Sequence, residues 1–138
     1  MSAVFVLSFV SLLVLGLVSR VQAKECSNNS IKGTYGFSCE GTVVGAEGGP
    51  LAVVGVFTAD GKGTGSEVET ISLNGVITPD VPFTVTYTVN ADCTGSFVST
   101  PPGGPDFDNY FVIDDNKKEF RLMPTETGFV AVCIYRKQ

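Results

Sequence analysis

The chain has 138 residues, 14 acidic against 9 basic side chains, a net charge of −5, and neither His nor Trp. An acidic balance of this kind disfavours nucleic-acid binding, which needs a basic footprint. The absence of His excludes Ser-His-Asp and Cys-His catalysis and most zinc or haem sites.

The apolar run from Val4 to Val18, followed by Val21-Gln22-Ala23, reads as a secretory signal peptide spanning residues 1–23, although no Lys or Arg precedes it. The alternative is an uncleaved anchor, for which the apolar stretch is short. Cleavage leaves residues 24–138 as a single domain and removes Arg20, making the mature chain one unit more negative. The product is expected to be secreted or periplasmic, with no membrane attachment after cleavage. Cys26, Cys39, Cys93 and Cys133 remain, with no Cys-x-x-Cys pair, and an even count in an exported chain points to two disulfides.

Ser27 to Ile31 has room for one short turn of helix, and its Asn28-Asn29-Ser30 fits the glycosylation pattern of a eukaryotic secretory route. Eight strand candidates follow. They are Gly33 to Cys39, Leu51 to Ala59, Gly65 to Leu73, Pro82 to Val89, Thr94 to Ser99, Tyr110 to Asp114, Glu119 to Met123 and Phe129 to Arg136. Phe83, Val85, Tyr87 and Val89 alternate with Thr84, Thr86 and Thr88, the period-two pattern of a half-buried strand. Leu51 to Phe57 and Phe129 to Tyr135 are apolar on both faces, as in strands covered on both sides or lining a barrel.

The connections alternate in length. Asp60-Gly61-Lys62-Gly63, Asn90-Ala91-Asp92 and Asp115-Asn116-Lys117 are tight; Glu40 to Pro50, Asn74 to Val81, Thr100 to Asp108 and Pro124 to Gly128 are long. In an antiparallel meander alternate connections lie at opposite ends, so this pattern predicts an all-β, eight-stranded antiparallel up-and-down barrel with a closed base and an open rim. The meander favours Cys26–Cys93 at the base and Cys39–Cys133 where the last strand meets the first, among three possible connectivities.

Charge divides between the two ends. Glu40, Glu47, Asp80, Asp106, Asp108 and Glu126 fall in the long connections, which contain no Lys or Arg, whereas Lys62, Lys117 and Lys118 fall in the base turns. An anionic rim admits neutral or cationic ligands; the plainer reading is solubility. Asp106 and Asp108 flank Phe107 after Pro101 to Pro105, a pair for calcium or for acid–base work in the absence of a full calcium-loop pattern, or ordinary turn residues. The Pro-Gly segment is a flexible lid or a disordered loop.

Tyr35, Phe37, Phe83, Tyr87, Phe97 and Tyr110 are the expected ligand-binding wall of a small hydrophobic pocket, and equally the material of a filled core. Glu67 and Glu69 share a strand face with Ile71 and Leu73; a carboxylate pointing inward beside Arg121 would be a candidate acid or base. The alternative places Glu67, Glu69, Glu119 and Arg121 on the outer face. No cofactor and no metal site is expected.

At Ser30-Ile31-Lys32-Gly33-Thr34-Tyr35-Gly36-Phe37, Val56-Phe57-Thr58-Ala59-Asp60-Gly61-Lys62-Gly63 and Tyr87-Thr88-Val89-Asn90-Ala91-Asp92-Cys93-Thr94-Gly95-Ser96, the chain resembles a group of small exported bacterial proteins with a Gly-Thr-Tyr-Gly strand. Their barrels resemble those of allene oxide cyclase and, more distantly, the lipocalins, so the resemblance implies a calycin-type barrel. No catalytic residue of those cyclases matches a position here, and the export signal departs from their cytosolic setting. Three readings follow: an exported barrel binding a small apolar or weakly cationic molecule, a cyclase or isomerase using Glu67 or Glu69 on a flexible hydrophobic substrate, and a structural or interaction protein with a filled barrel.

Overall fold

The computed structural model describes residues 25–138, so the expected signal peptide lies outside the described residues. Eight antiparallel strands run in chain order around a closed barrel: β1 (Gly33–Val43), β2 (Gly49–Ala59), β3 (Thr64–Leu73), β4 (Val76–Val89), β5 (Thr94–Thr100), β6 (Phe107–Ile113), β7 (Glu119–Pro124) and β8 (Phe129–Lys137). β8 returns to pair with β1, so every strand has two hydrogen-bonded neighbours and no edge is left open. The side-chain alternation expected of β4 holds, with Phe83, Val85 and Tyr87 buried and Thr84, Thr86 and Thr88 exposed.

The base is built from aspartate turns and a plug. Asp60 Oδ1 accepts hydrogen bonds from the backbone N–H groups of Lys62, Gly63 and Thr64 at 2.7, 3.1 and 3.0 Å, pinning the β2–β3 turn. Asp92 and Asp114 do the same for the β4–β5 and β6–β7 turns. The expected helical turn is a 3-10 segment, Asn28–Ile31, which folds under the barrel and buries Ile31 completely. Asn28 ties two base turns together: its Nδ2 donates to the Lys62 carbonyl at 3.1 Å and its Oδ1 accepts from the Val89 N–H at 2.8 Å. The amide nitrogen that a glycan would need is therefore already a structural donor. The disulfides are Cys26–Cys93, anchoring this plug to the β4–β5 turn, and Cys39–Cys133, between register partners of β1 and β8.

At the rim the alternation of loop lengths is not strict. β3 and β4 are joined by Asn74-Gly75 alone, at φ +49° and +83°, the left-handed pair that a tight β-hairpin turn requires. The long Asn74 to Val81 connection expected here is strand instead. Its one proline, Pro79, is accommodated by a register shift opposite Glu69–Ile71 that takes one extra residue of β4 and leaves Asp80 at φ +53°. The rim ends of β1, β2 and β6 also reach further than expected, to Val43, from Gly49 and from Phe107.

The interior has two halves. Towards the base, aromatic rings fill it: Phe57 and Phe97 are wholly buried with centroids 5.1 Å apart, and Phe120 stacks on Tyr135 at 4.4 Å and meets Tyr35 edge-on at 5.2 Å. Towards the rim the rings thin out.

Candidate functional site

A cavity of about 250 Å³ occupies the rim half of the barrel. Its walls are aliphatic and aromatic, with Leu51 and Val53 from β2, Ile71 from β3, Phe83 from β4, Phe107 from β6 and Phe129 from β8. Pro124 and Glu126 line it where it reaches the rim. Phe107 packs between Phe83 and Phe129, with ring centroids 6.5 and 5.9 Å away. The Cys39–Cys133 bridge forms part of the wall.

Besides Glu126 at the mouth, two carboxyl groups interrupt this apolar lining from within. Glu67 and Glu69 are successive inward positions of β3 and both border the cavity. Glu67 is only 3% exposed. Tyr135 Oη donates to its Oε1 at 2.8 Å, and Ser99 Oγ donates to its Oε2 at 3.2 Å. Burial pushes the Glu67 carboxyl up to about 7, against the opposing pull of those two hydrogen bonds. Burial and then the neighbouring Glu67 charge push Glu69 up to about 8. Burial, with Glu67 beside it, holds the Tyr135 phenol well above its usual range, so Tyr135 stays a neutral donor. Among the described residues, no Lys or Arg lines the cavity.

Glu67 is thus inward with polar partners, but Arg121 is not one of them. Arg121 lies on the outer wall, where it and Arg136 each pair with Glu119 at 2.9 Å. The remaining described cations, Lys32, Lys62, Lys117, Lys118 and Lys137, sit at the base end. Glu40, Glu47, Asp80, Asp106, Asp108 and Glu126 are on the rim side, so among the described residues the mouth is wholly acidic, whereas the base mixes its lysines with Asp60, Asp92, Asp114 and Asp115.

Of the six aromatics expected to line the pocket, Phe83 does so. Tyr35, Phe37, Phe97 and Tyr87 are buried among other side chains, and Tyr87 Oη reaches the base turn, accepting from the Gly61 N–H at 2.8 Å. Tyr110 is 44% exposed and faces outward. On β6 the inward set is Phe107, Asn109, Phe111 and Ile113, so Asp108, Tyr110 and Val112 face out. An outward Asp108 at the start of this strand was the available signal, because parity then puts Tyr110 on the same side. Asp106 accepts a hydrogen bond from Thr100 Oγ1 at 2.6 Å, and Asp106 and Asp108 are both exposed to solvent. Among the described residues, no group of three or more His, Cys, Asp or Glu side chains is placed to hold a metal ion.

No family model, no curated protein and no solved structure matches the chain. The barrel itself, closed, antiparallel and up-and-down in strand order, is consistent with a calycin-like architecture.

Proposed function

We propose that this protein is an exported barrel that binds one small molecule, largely apolar and neutral or cationic, in its rim cavity. The observation that carries the reading is the half-filled interior: aromatic rings occupy the base half, while about 250 Å³ stays open beneath an acidic rim. An apolar cavity of about 150 Å³ holds benzene, so by proportion this one takes roughly ten non-hydrogen atoms. Two disulfides fit an oxidising compartment, secreted or periplasmic. Among the described residues no helix is long and apolar enough to cross a membrane. On this reading the chain belongs with the small exported barrels that carry a Gly-Thr-Tyr-Gly strand, here at Gly33 to Gly36. Native mass spectrometry of protein purified from its own source should find a retained molecule of that size. Protein that emerges empty, and that also fails to bind both 1-octanol and n-octylamine by calorimetry, would sink the reading.

A second reading has its own observation. Glu67, inward and held by Tyr135 and Ser99 beside Glu69, is a positioned carboxyl poised near neutrality in an apolar space, which suits an acid–base step of a cyclase or isomerase on a flexible hydrophobic substrate. Turnover of such a substrate, abolished in Glu67→Gln, is the expected result; a rate identical in wild type and Glu67→Gln rejects it.

A further inference from the structure

The two carboxyl groups inside the cavity, Glu67 and Glu69, have no cationic partner among the described residues around them. Glu67 and Glu69 lie about 6.6 Å apart along β3, on the face that looks into the cavity. Glu67 receives only neutral donors, Tyr135 and Ser99. Glu69 borders the same space and accepts no hydrogen bond from any described side chain. β2, β4 and β7 present Leu51, Val53, Phe83 and Leu122 to the cavity, and β1 and β8 present the Cys39–Cys133 bridge. Besides Tyr135, the other titratable group facing the pair is Glu126 at the mouth, which adds negative charge. Two acids in one apolar space do not both ionise at neutral pH unless a cation accompanies them.

We infer that the occupant of the cavity supplies that cation, as a single protonated amine on a compact apolar body, with the ammonium group seated between Glu69 and Glu67. The inference rests on the reading that the cavity holds a small molecule, and it names the class. The acidic rim steers such a cation inward and turns carboxylates away. Proton balance follows from the geometry: the empty pair retains a proton, the entering ammonium replaces it, and one proton leaves to solvent. Burial of both acids places that exchange between about pH 7 and 8.

Three probes of matched length, n-octylamine, 1-octanol and octanoate, test this by calorimetry on the mature, disulfide-intact protein. Octylamine should bind at least about tenfold tighter than 1-octanol, the worth of one charged hydrogen bond, and octanoate weaker than either. Repeating the octylamine titration in two buffers of different ionisation heat should reveal proton release at about pH 6 that fades above about pH 8. Glu69→Gln should remove the advantage of octylamine over 1-octanol, and Glu67→Gln should reduce it. If 1-octanol binds and octylamine binds no better, the amine class is wrong while the binding cavity stands. If none of the three binds, both fall.

Discussion

A glutamate inside an apolar barrel raises the question of what its charge costs the fold. Glu67 and Glu69 bind protons more tightly in the native state than in the unfolded chain. The stability that this lends is complete below the ordinary value of 4.5 and is lost as pH rises through about 7 to 8. For Glu67 the span corresponds to roughly 3 kcal/mol between those limits. Asp60, Asp92 and Glu119 act in the opposite sense: their turn hydrogen bonds and arginine partners hold them below the ordinary range, so their contribution is lost as pH falls below about 4. Urea midpoints should therefore peak near pH 5 and decline towards pH 8. Glu67→Gln should flatten the alkaline limb, and an unchanged limb would show that the buried acids do not govern it. That Glu67 and Glu69 share a face with Ile71 was legible in the sequence. That Tyr135 and Ser99, rather than Arg121, meet Glu67 was not, because those partners lie 68 and 32 residues away and come together only on closure.

The strands show how a barrel this narrow takes so many large rings. Phe37 lies over Gly55, Phe57 over Gly65 and Phe111 over Gly95, each ring covering a glycine on the adjacent strand. The glycine leaves room for the ring, and the ring shields the bare backbone. A methyl group at position 95 would land on the Phe111 ring and the Thr88 carbonyl, neither free to retreat. Gly95→Ala should cost about 1–3 kcal/mol, read from the urea midpoint at constant m-value. A cost near zero would mean that Phe111 has space to move. Turn elements were the most readable part of the chain: Asp60-Gly61 and Asn90-Ala91-Asp92 announce base turns through their own chemistry. Asn74-Gly75 announces a hairpin equally well, yet Pro79 masked the first part of the strand that follows, because a bulge at Pro79-Asp80 lets β4 run through it.

At the scale of the whole molecule, the disulfides and the charge division organise the cup. Cys39–Cys133 links residues 94 apart and Cys26–Cys93 links residues 67 apart. Loops of that length give up to about 4–5 kcal/mol each in the chain-entropy account, a large share of a small domain's stability. Paired replacement, Cys39→Ala with Cys133→Ala, should lower the thermal midpoint strongly and loosen the cavity wall that the bridge helps to form. Replacing Cys26 and Cys93 should lower it while leaving that wall intact, so 1-octanol affinity separates the two. Equal loss of affinity in both variants would show that the cavity depends on global stability rather than on the β1–β8 seam.

The sequence by itself determined most of the strands, the direction of the meander and the acidic character of the rim, and it favoured the cysteine pairing that closure produces. All of these follow from period-two patterning and from turn residues acting within a few positions. Only the tertiary structure decided which inward residues face open space. Parity says that a side chain points in; the tilt and stagger of closed strands set its height along the axis. Height separates Phe83, which lines the cavity, from Tyr87 on the same face of the same strand, whose hydroxyl reaches the base turn. It also brings Glu67 beneath the opening, beside a tyrosine from the far end of the chain.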